Sequence, residues 1–217
     1  MNVVIEDGRR LDKFSHRTRV LVDIYRATST IPILLRNGAR EIIPTETLAE
    51  ARLIKRDRPD CVIVGERFGF KVPGFDYGNS PSQLLNLDFT GKVVIFTSTN
   101  GTKVLKKIVE GGEVFIGSFI NADATYEALK GKESVSIVTS NRPDGRAEED
   151  YLFAEYLMKR LRGDEVSLTE YVRLVKKSSG SRWLKVMGFW GDISASLTPN
   201  LVDFPVIYRD GKIIRFQ

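Results

Sequence analysis

The sequence predicts an α/β fold, a three-layer α/β/α arrangement on a largely parallel or mixed sheet built from an internally duplicated β-α-β-α-β unit. Three observations carry this prediction. Six short apolar runs rich in Val and Ile are continuous rather than alternating, as strands buried on both faces are. Segments with helical spacing separate them, which argues for strands joined by crossovers. Residues 20–66 and 93–139 read as one unit written twice at an offset of 73 (93 − 20), pairing Val20 with Val93, Gly38 with Gly111, Ile43 with Ile116 and Ala49 with Ala122 without a gap.

Strands are expected over residues 19–24, 41–44, 61–65, 92–96, 113–117 and 134–139, and helices over 28–36, 47–56, 101–109 and 122–129. Thr28 or Ser29, Thr45, Asn100 or Thr99, and Asn121 stand where helix N-caps belong, and Gly38 and Gly111 where helices end. Pro32 falls in a first helical turn, where its missing N–H does least harm. The loop 68–84 holds Gly69, Pro73, Gly74, Gly78 and Pro81, and loops of that length are usually functional. Beyond a turn at 141–145, Glu148, Glu149 and Asp150 open an amphipathic helix that runs to Leu161. Helical segments follow over 168–187 and 192–197, then two strands within 201–216 turned at Arg209-Asp210-Gly211. The chain divides at residue 90: 1–90 hold the first copy and its long loop, and 91–217 hold the second copy with the C-terminal helices and hairpin.

The net charge of +5 suits anionic ligands. There is no zinc-finger spacing, basic helix or aromatic-glycine pattern of an RNA-binding sheet, so the expected partner is a small anion rather than nucleic acid. One cysteine, Cys61, excludes an internal disulfide and agrees with a reducing compartment. With no signal-like start and no apolar run of membrane length, the expected location is cytoplasmic.

In parallel α/β sheets, ligands bind at the carboxyl ends of strands. Several polar clusters stand there: Asp23 with Arg26 and Thr28-Ser29-Thr30, Glu66 with Arg67, Thr97 to Thr102, and Ser140 with Asn141. Hydroxyl-rich turns at helix N-termini offer the N–H groups and dipole end that a phosphate or sulfonate needs, although the same residues also serve as simple caps. Asp23, at the end of an apolar strand, calls for a cation nearby: a metal, Arg26 or a substrate proton. Asp23 and Glu66 together could supply the one or two carboxylates that Mg²⁺ takes alongside phosphate oxygens. Arg26 and Arg67 suit a bidentate clamp on an anion, and Asn79-Ser80 lie on the long loop. Cys61 and Arg67 match the Cys-x5-Arg spacing of cysteine phosphatases, but residues 62–66 read as a buried strand, so the thiol is expected to be inert. His16, the single histidine, precedes the repeat and offers no phosphohistidine or His-rich metal chemistry.

The run Val22-Asp23-Ile-Tyr-Arg26-Ala27-Thr28-Ser29-Thr30-Ile31, then Gly65-Glu66-Arg67, Gly74-Phe75-Asp76, Gly78-Asn79-Ser80-Pro81 and Thr97-Ser98-Thr99-Asn100-Gly101-Thr102 resembles the 2-phosphosulfolactate phosphatase family of coenzyme M biosynthesis. The resemblance implies a Mg²⁺-dependent phosphatase on an unusual α/β fold. It implies catalytic roles for Asp23, Arg26, Glu66, Arg67 and Asn100. It implies substrate contacts from Thr28, Ser29, Thr30, Asn79, Ser80, Thr97, Ser98, Thr99, Gly101 and Thr102, and metal ligation by Asp23, Glu66, Glu149 and Asp150. Asp192 matches a later acidic position, and Ser29 and Ser98 keep the hydroxyl where the family commonly has Thr. Two further readings stand beside this one: a phosphatase for another phosphorylated hydroxy acid, and a non-catalytic module that binds a small anion. A homodimer is compatible with each.

Overall fold

The repeat organises the sheet in an exchanged fashion. The computed structural model describes residues 1–143 and 145–217, so Asp144 of the expected 141–145 turn lies outside the described residues. The first copy forms β2 (Thr18–Val22), α1 (Ala27–Arg36), β3 (Glu41–Thr45), α2 (Leu48–Asp57) and β4 (Val62–Arg67). The second forms β6 (Val93–Thr97), α4 (Gly101–Ile108), β7 (Glu113–Gly117), α5 (Ala122–Leu129) and β8 (Ser134–Thr139). Outside the copies lie β1 (Asn2–Asp7), β5 (Phe70–Lys71), α3 (Pro81–Leu84), α6 (Glu148–Arg162), α7 (Leu168–Val175), α8 (Ser179–Val186), α9 (Trp190–Ser196), β9 (Val206–Arg209) and β10 (Lys212–Arg215).

The strands lie in one ten-stranded sheet in the order β1-β8-β2-β7-β9-β10-β3-β6-β4-β5. The first strand of each copy sits between the second and third strands of the other, and all four of those pairings are parallel. The C-terminal hairpin β9-β10 stands at the centre, antiparallel to β7 on one side and β3 on the other. The two halves therefore run in opposite senses along the sheet. Strand twist of roughly 20–25° per step accumulates to on the order of 100° or more between β2 and β6, which turns opposed strands toward convergence at their carboxyl ends.

The gap-free offset is corrected by the register. Val20 lies between Phe115 and Ile137, whereas Ile95 lies between Ile43 and Ile63. The Thr28 hydroxyl accepts from Asp23 N, as the Thr102 hydroxyl accepts from Ser98 N. Asp23 thus corresponds to Ser98 rather than to Phe96, and the shift is absorbed by a ten-residue α1 against an eight-residue α4.

Alternate strand residues feed opposite faces. Leu21, Ile42, Val94, Phe96 and Ile116 pack with Ile31, Leu34 and Leu35 of α1 and Val104, Leu105 and Ile108 of α4. Val20, Phe115 and Ile137 pack under α5 to α8 through Leu129, Phe153, Leu157, Val172 and Leu184. Ile63, Val93 and Ile95 pack under Ala51 of α2. Both faces of the sheet are covered, as the continuous apolar runs require.

Four local departures from expectation have simple causes. Arg26 rather than Thr28 or Ser29 holds the N-cap position of α1, because the helix starts at Ala27 and both hydroxyl residues fall inside its first turn. Thr47 rather than Thr45 caps α2, accepting from Glu50 N at 3.1 Å. Ser178 caps a new helix and divides the 168–187 segment into α7 and α8. The 68–84 loop contains β5 and α3, the latter started by Ser80 and by Pro81 at its first position.

Candidate active site

The carboxyl ends of β2, β4 and β6 meet at a cavity of about 530 Å³, within the size range of small-molecule sites. Its polar lining is Asp23, Arg26, Glu66, Asn79, Ser98, Thr99, Asn100 and Arg142, and its apolar wall includes Phe68, Phe70, Trp183 and Met187.

Asp23 follows β2 and is buried. Burial, with the neighbouring Glu66 carboxylate next in weight, pushes its pKa up to about 6, partly opposed by hydrogen bonds from the Ser140 hydroxyl and the Ala27 N–H. Glu66, at the end of β4, organises the opposite wall. Its Oε1 accepts from Thr99 N at 2.5 Å, and its Oε2 accepts from Gly69 N at 2.7 Å and the Thr99 hydroxyl at 2.9 Å. Glu66 thereby fixes the turn after β6 and the strap carrying Phe68.

Arg26 is held from below. Its Nη1 donates to Asp192 Oδ2 at 2.6 Å, its Nη2 donates to the Gly69 carbonyl at 2.5 Å, and its guanidinium lies 4.6 Å from the Phe189 ring centroid. Asp192 Oδ1 accepts from the hydroxyls of Ser80 and Ser82, each at 2.6 Å. One buried acid therefore anchors both the arginine and the loop that carries Asn79. Asn79 Oδ1 is buried without a hydrogen-bond partner among the described residues.

Several expected site residues have other work. Arg67 does not line the cavity; its guanidinium donates to the carbonyls of Glu66 and Glu46 and to the Thr97 hydroxyl. Neighbouring residues of a strand point to opposite sides, so Glu66 and Arg67 cannot both face the cleft. Thr28, Ser29 and Thr30 are fully buried in the first turn of α1; Thr28 receives the Asp23 N–H and Ser29 donates to the Ile24 carbonyl at 2.9 Å. Thr102 and Ser98 bind each other across the α4 start, and Ser80 serves Asp192. Gly101 lies behind Asp23, where a Cβ would stand 2.6 Å from Oδ2.

Asp150 is turned onto backbone, accepting from Ile24 N at 2.8 Å and Asn141 N at 3.3 Å, and so ties the end of β2 to that of β8. Burial first, then Asp23 and Glu149, push its pKa well up. Glu149 pairs with Arg142. Neither acid lines the cavity, and among the described residues no three His, Cys, Asp or Glu side chains converge as a ready-made cage. Mg²⁺ requires only one or two carboxylates with phosphate oxygens and water. Asp23 suits that requirement, since burial and the neighbouring Glu66 carboxylate disfavour its bare charge and a cation beside it would relieve both, with Glu66 next to it on the cavity wall. Cys61 is a buried free thiol whose pKa burial raises, as expected of an inert core residue.

Arg142 and the aromatic wall join the site without a local sequence signal. Arg142 lay one residue beyond the Ser140-Asn141 cluster, within what read as a turn.

The family model described as 2-phosphosulpholactate phosphatase matches residues 4–211. The chain belongs to the 2-phosphosulfolactate phosphatase family. It is accordingly a phosphoric monoester hydrolase. A protein of Thermoplasma volcanium described as a probable 2-phosphosulfolactate phosphatase is 38% identical over 210 residues, covering 97% of both chains. One of Thermoplasma acidophilum with the same description is 44% identical over 169 residues, 78% of this chain and 76% of that one. The 2-phosphosulfolactate phosphatase of Methanocaldococcus jannaschii is 32% identical over 216 residues, 91% and 92% of the two chains. Among the described residues, no helix is long and apolar enough to cross a membrane.

Proposed function

We propose that this phosphatase hydrolyses 2-phosphosulfolactate to sulfolactate and phosphate with Mg²⁺ as cofactor. The observation that carries the reading is the meeting, in one small cavity, of the Asp23 and Glu66 carboxylates with two arginines and the Ser98-Thr99-Asn100 turn. The substrate carries a phosphate ester, a carboxylate and a sulfonate, and the names of the relatives point to it.

Phosphoryl transfer is mostly positioning and charge stabilisation, and the chain's own groups supply both. Arg26 is pre-oriented by Asp192, Gly69 and Phe189, so little ordering is lost when it meets a phosphate oxygen. Glu66 takes the Thr99 N–H and hydroxyl and so fixes the turn after β6, whose Ser98 and Asn100 line the cavity. Phe68, Phe70 and Trp183 form an apolar rim on the same cavity. Asp23 and Glu66 would hold the Mg²⁺, which when bound supplies neutralisation of the phosphate oxygens. On this reading the chain serves coenzyme M biosynthesis, and its single buried thiol agrees with the reducing cytoplasm.

The test is phosphate release from 2-phosphosulfolactate, with and without Mg²⁺, by wild type and Asp23→Asn. Metal-dependent turnover that Asp23→Asn loses is expected. Wild-type turnover indifferent to chelation removes the cofactor assignment, and absence of turnover removes the substrate.

A further inference from the structure

Two arginines line the cavity, and they are held differently. Arg26 is almost wholly enclosed, with 4% of its side chain exposed, Asp192 and the Gly69 carbonyl on its two terminal nitrogens and Phe189 against the guanidinium. Arg142 keeps 31% of its side chain exposed, and among the described residues only one edge is tied down: Nη2 pairs with Glu149, and Nη1 lies 3.5 Å from the Ser179 hydroxyl. A guanidinium carries five N–H donors in a planar fork, so Arg142 retains donors on its cavity side.

The support behind Arg142 is built. Glu149 is 2% exposed, and its Oε2 is buried with no hydrogen-bond partner among the described residues. An ionised carboxylate left in that state is costly unless a cation stays beside it, so the burial of Glu149 ties Arg142 to one place. Gly180 makes the room: a Cβ there would collide with the Glu149 carboxylate. The neighbouring Glu148 Oε2 accepts from Ser179 N at 2.9 Å, which locks the start of α8 against α6. Three elements, the turn after β8, α6 and α8, thus converge to present one guanidinium edge to the cavity. That edge comes from different elements than the Ser98 to Asn100 turn.

We infer that Arg142 is the specificity-determining residue of the site, seating the substrate's second oxyanion, a carboxylate or sulfonate, while Glu149 acts as its positioning residue. This rests on the proposed substrate class, because a simple phosphomonoester would have no use for a second fork.

Binding without turnover tests it. Calorimetric titration with sulfolactate, lactate and inorganic phosphate would be run on wild type, Arg142→Met, Glu149→Gln and the Arg142→Met/Glu149→Gln double variant, which leaves no unpaired buried charge. Arg142→Met and the double variant should weaken sulfolactate binding at least tenfold, roughly the worth of one charge-assisted contact, and leave inorganic phosphate within about threefold. Glu149→Gln should weaken sulfolactate alone, by a smaller factor. A lactate affinity that falls in parallel assigns the carboxylate, and a loss confined to sulfolactate assigns the sulfonate. Equal losses for sulfolactate and phosphate, or no loss for sulfolactate, overturn the inference. Phosphate release by wild type, measured separately, reports on the proposed reaction itself.

Discussion

The carboxylate of Asp23 occupies the space that a side chain on Gly101 would need, across the two copies of the repeat: a Cβ on Gly101 would stand 2.6 Å from Asp23 Oδ2 and 2.9 Å from the Ala27 Cβ. The start of α4 can approach the end of β2 this closely only because residue 101 has no side chain. Gly101→Ala should therefore push Asp23 out of place. Overpacking of this kind costs about 1–3 kcal/mol, read by urea unfolding, and phosphate release should fall at least tenfold. An alanine variant with wild-type stability and wild-type turnover would show that the contact is not limiting.

Asp23 also sets a pH dependence of stability. Its folded pKa of about 6 exceeds the ordinary 3.8, so the fold favours the neutral acid. Below the lower value both states are protonated and the group costs nothing. As pH rises through the interval the native state must hold an ion that water would hold more cheaply, and above about 6 the penalty is complete. At about 1.4 kcal/mol per unit, the penalty is about 2–3 kcal/mol. In EDTA, Asp23→Asn should unfold at higher urea than wild type at pH 8 and at equal urea near pH 3.5. A variant less stable at pH 8 contradicts the assignment.

How much of this was legible in the sequence follows from the range of each interaction. Asp23, Glu66 and the Ser98 to Asn100 turn could be placed at strand ends from local pattern alone, because polar residues closing continuous apolar runs stand out. Arg67 could not be told from Glu66 without the strand's phase, since side-chain direction alternates residue by residue. The central position of β9-β10 was hidden, because its pairing with β7 and β3 is non-local and leaves no trace in periodicity. β1 is equally hard to see in the sequence: Val3, Val4 and Ile5 lie in an edge strand, where charged neighbours dilute the apolar run. Arg142 depends on Glu149 and Gly180, both brought to it only by the packing of α6 and α8.

The Arg26–Asp192 pair should be costly to break and cheap to replace. Both side chains are buried, and Asp192 also holds Ser80 and Ser82, so Asp192→Ala strands a guanidinium and releases the loop. Removing one partner of a buried pair costs about 3–5 kcal/mol, whereas an apolar pair of similar volume is often neutral. Arg26→Met/Asp192→Leu should recover the share of the urea stability that the stranded guanidinium costs, though not the share carried by Ser80 and Ser82, and yet remain inactive in phosphate release. Recovery of activity along with stability would mean that Arg26 serves the fold alone.

Gly180 offers the sharpest separation of packing from chemistry. It lies in the first turn of α8, where alanine is the better helix former by about 1 kcal/mol. On propensity alone, Gly180→Ala should stabilise the chain. The Cβ, however, would occupy the space of the Glu149 carboxylate, a group with its second oxygen already unpartnered and its first committed to Arg142. Glu149 cannot retreat without carrying Arg142 with it, because separating them leaves a bare buried charge. The expected result is a net loss of about 1–3 kcal/mol, the usual cost of overpacking, together with a rise in KM larger than any fall in kcat. Glu149→Gln/Gly180→Ala should lose less stability than the sum of the single changes, since the two residues share one space. Strict additivity in that double-mutant cycle would place the Glu149 carboxylate elsewhere.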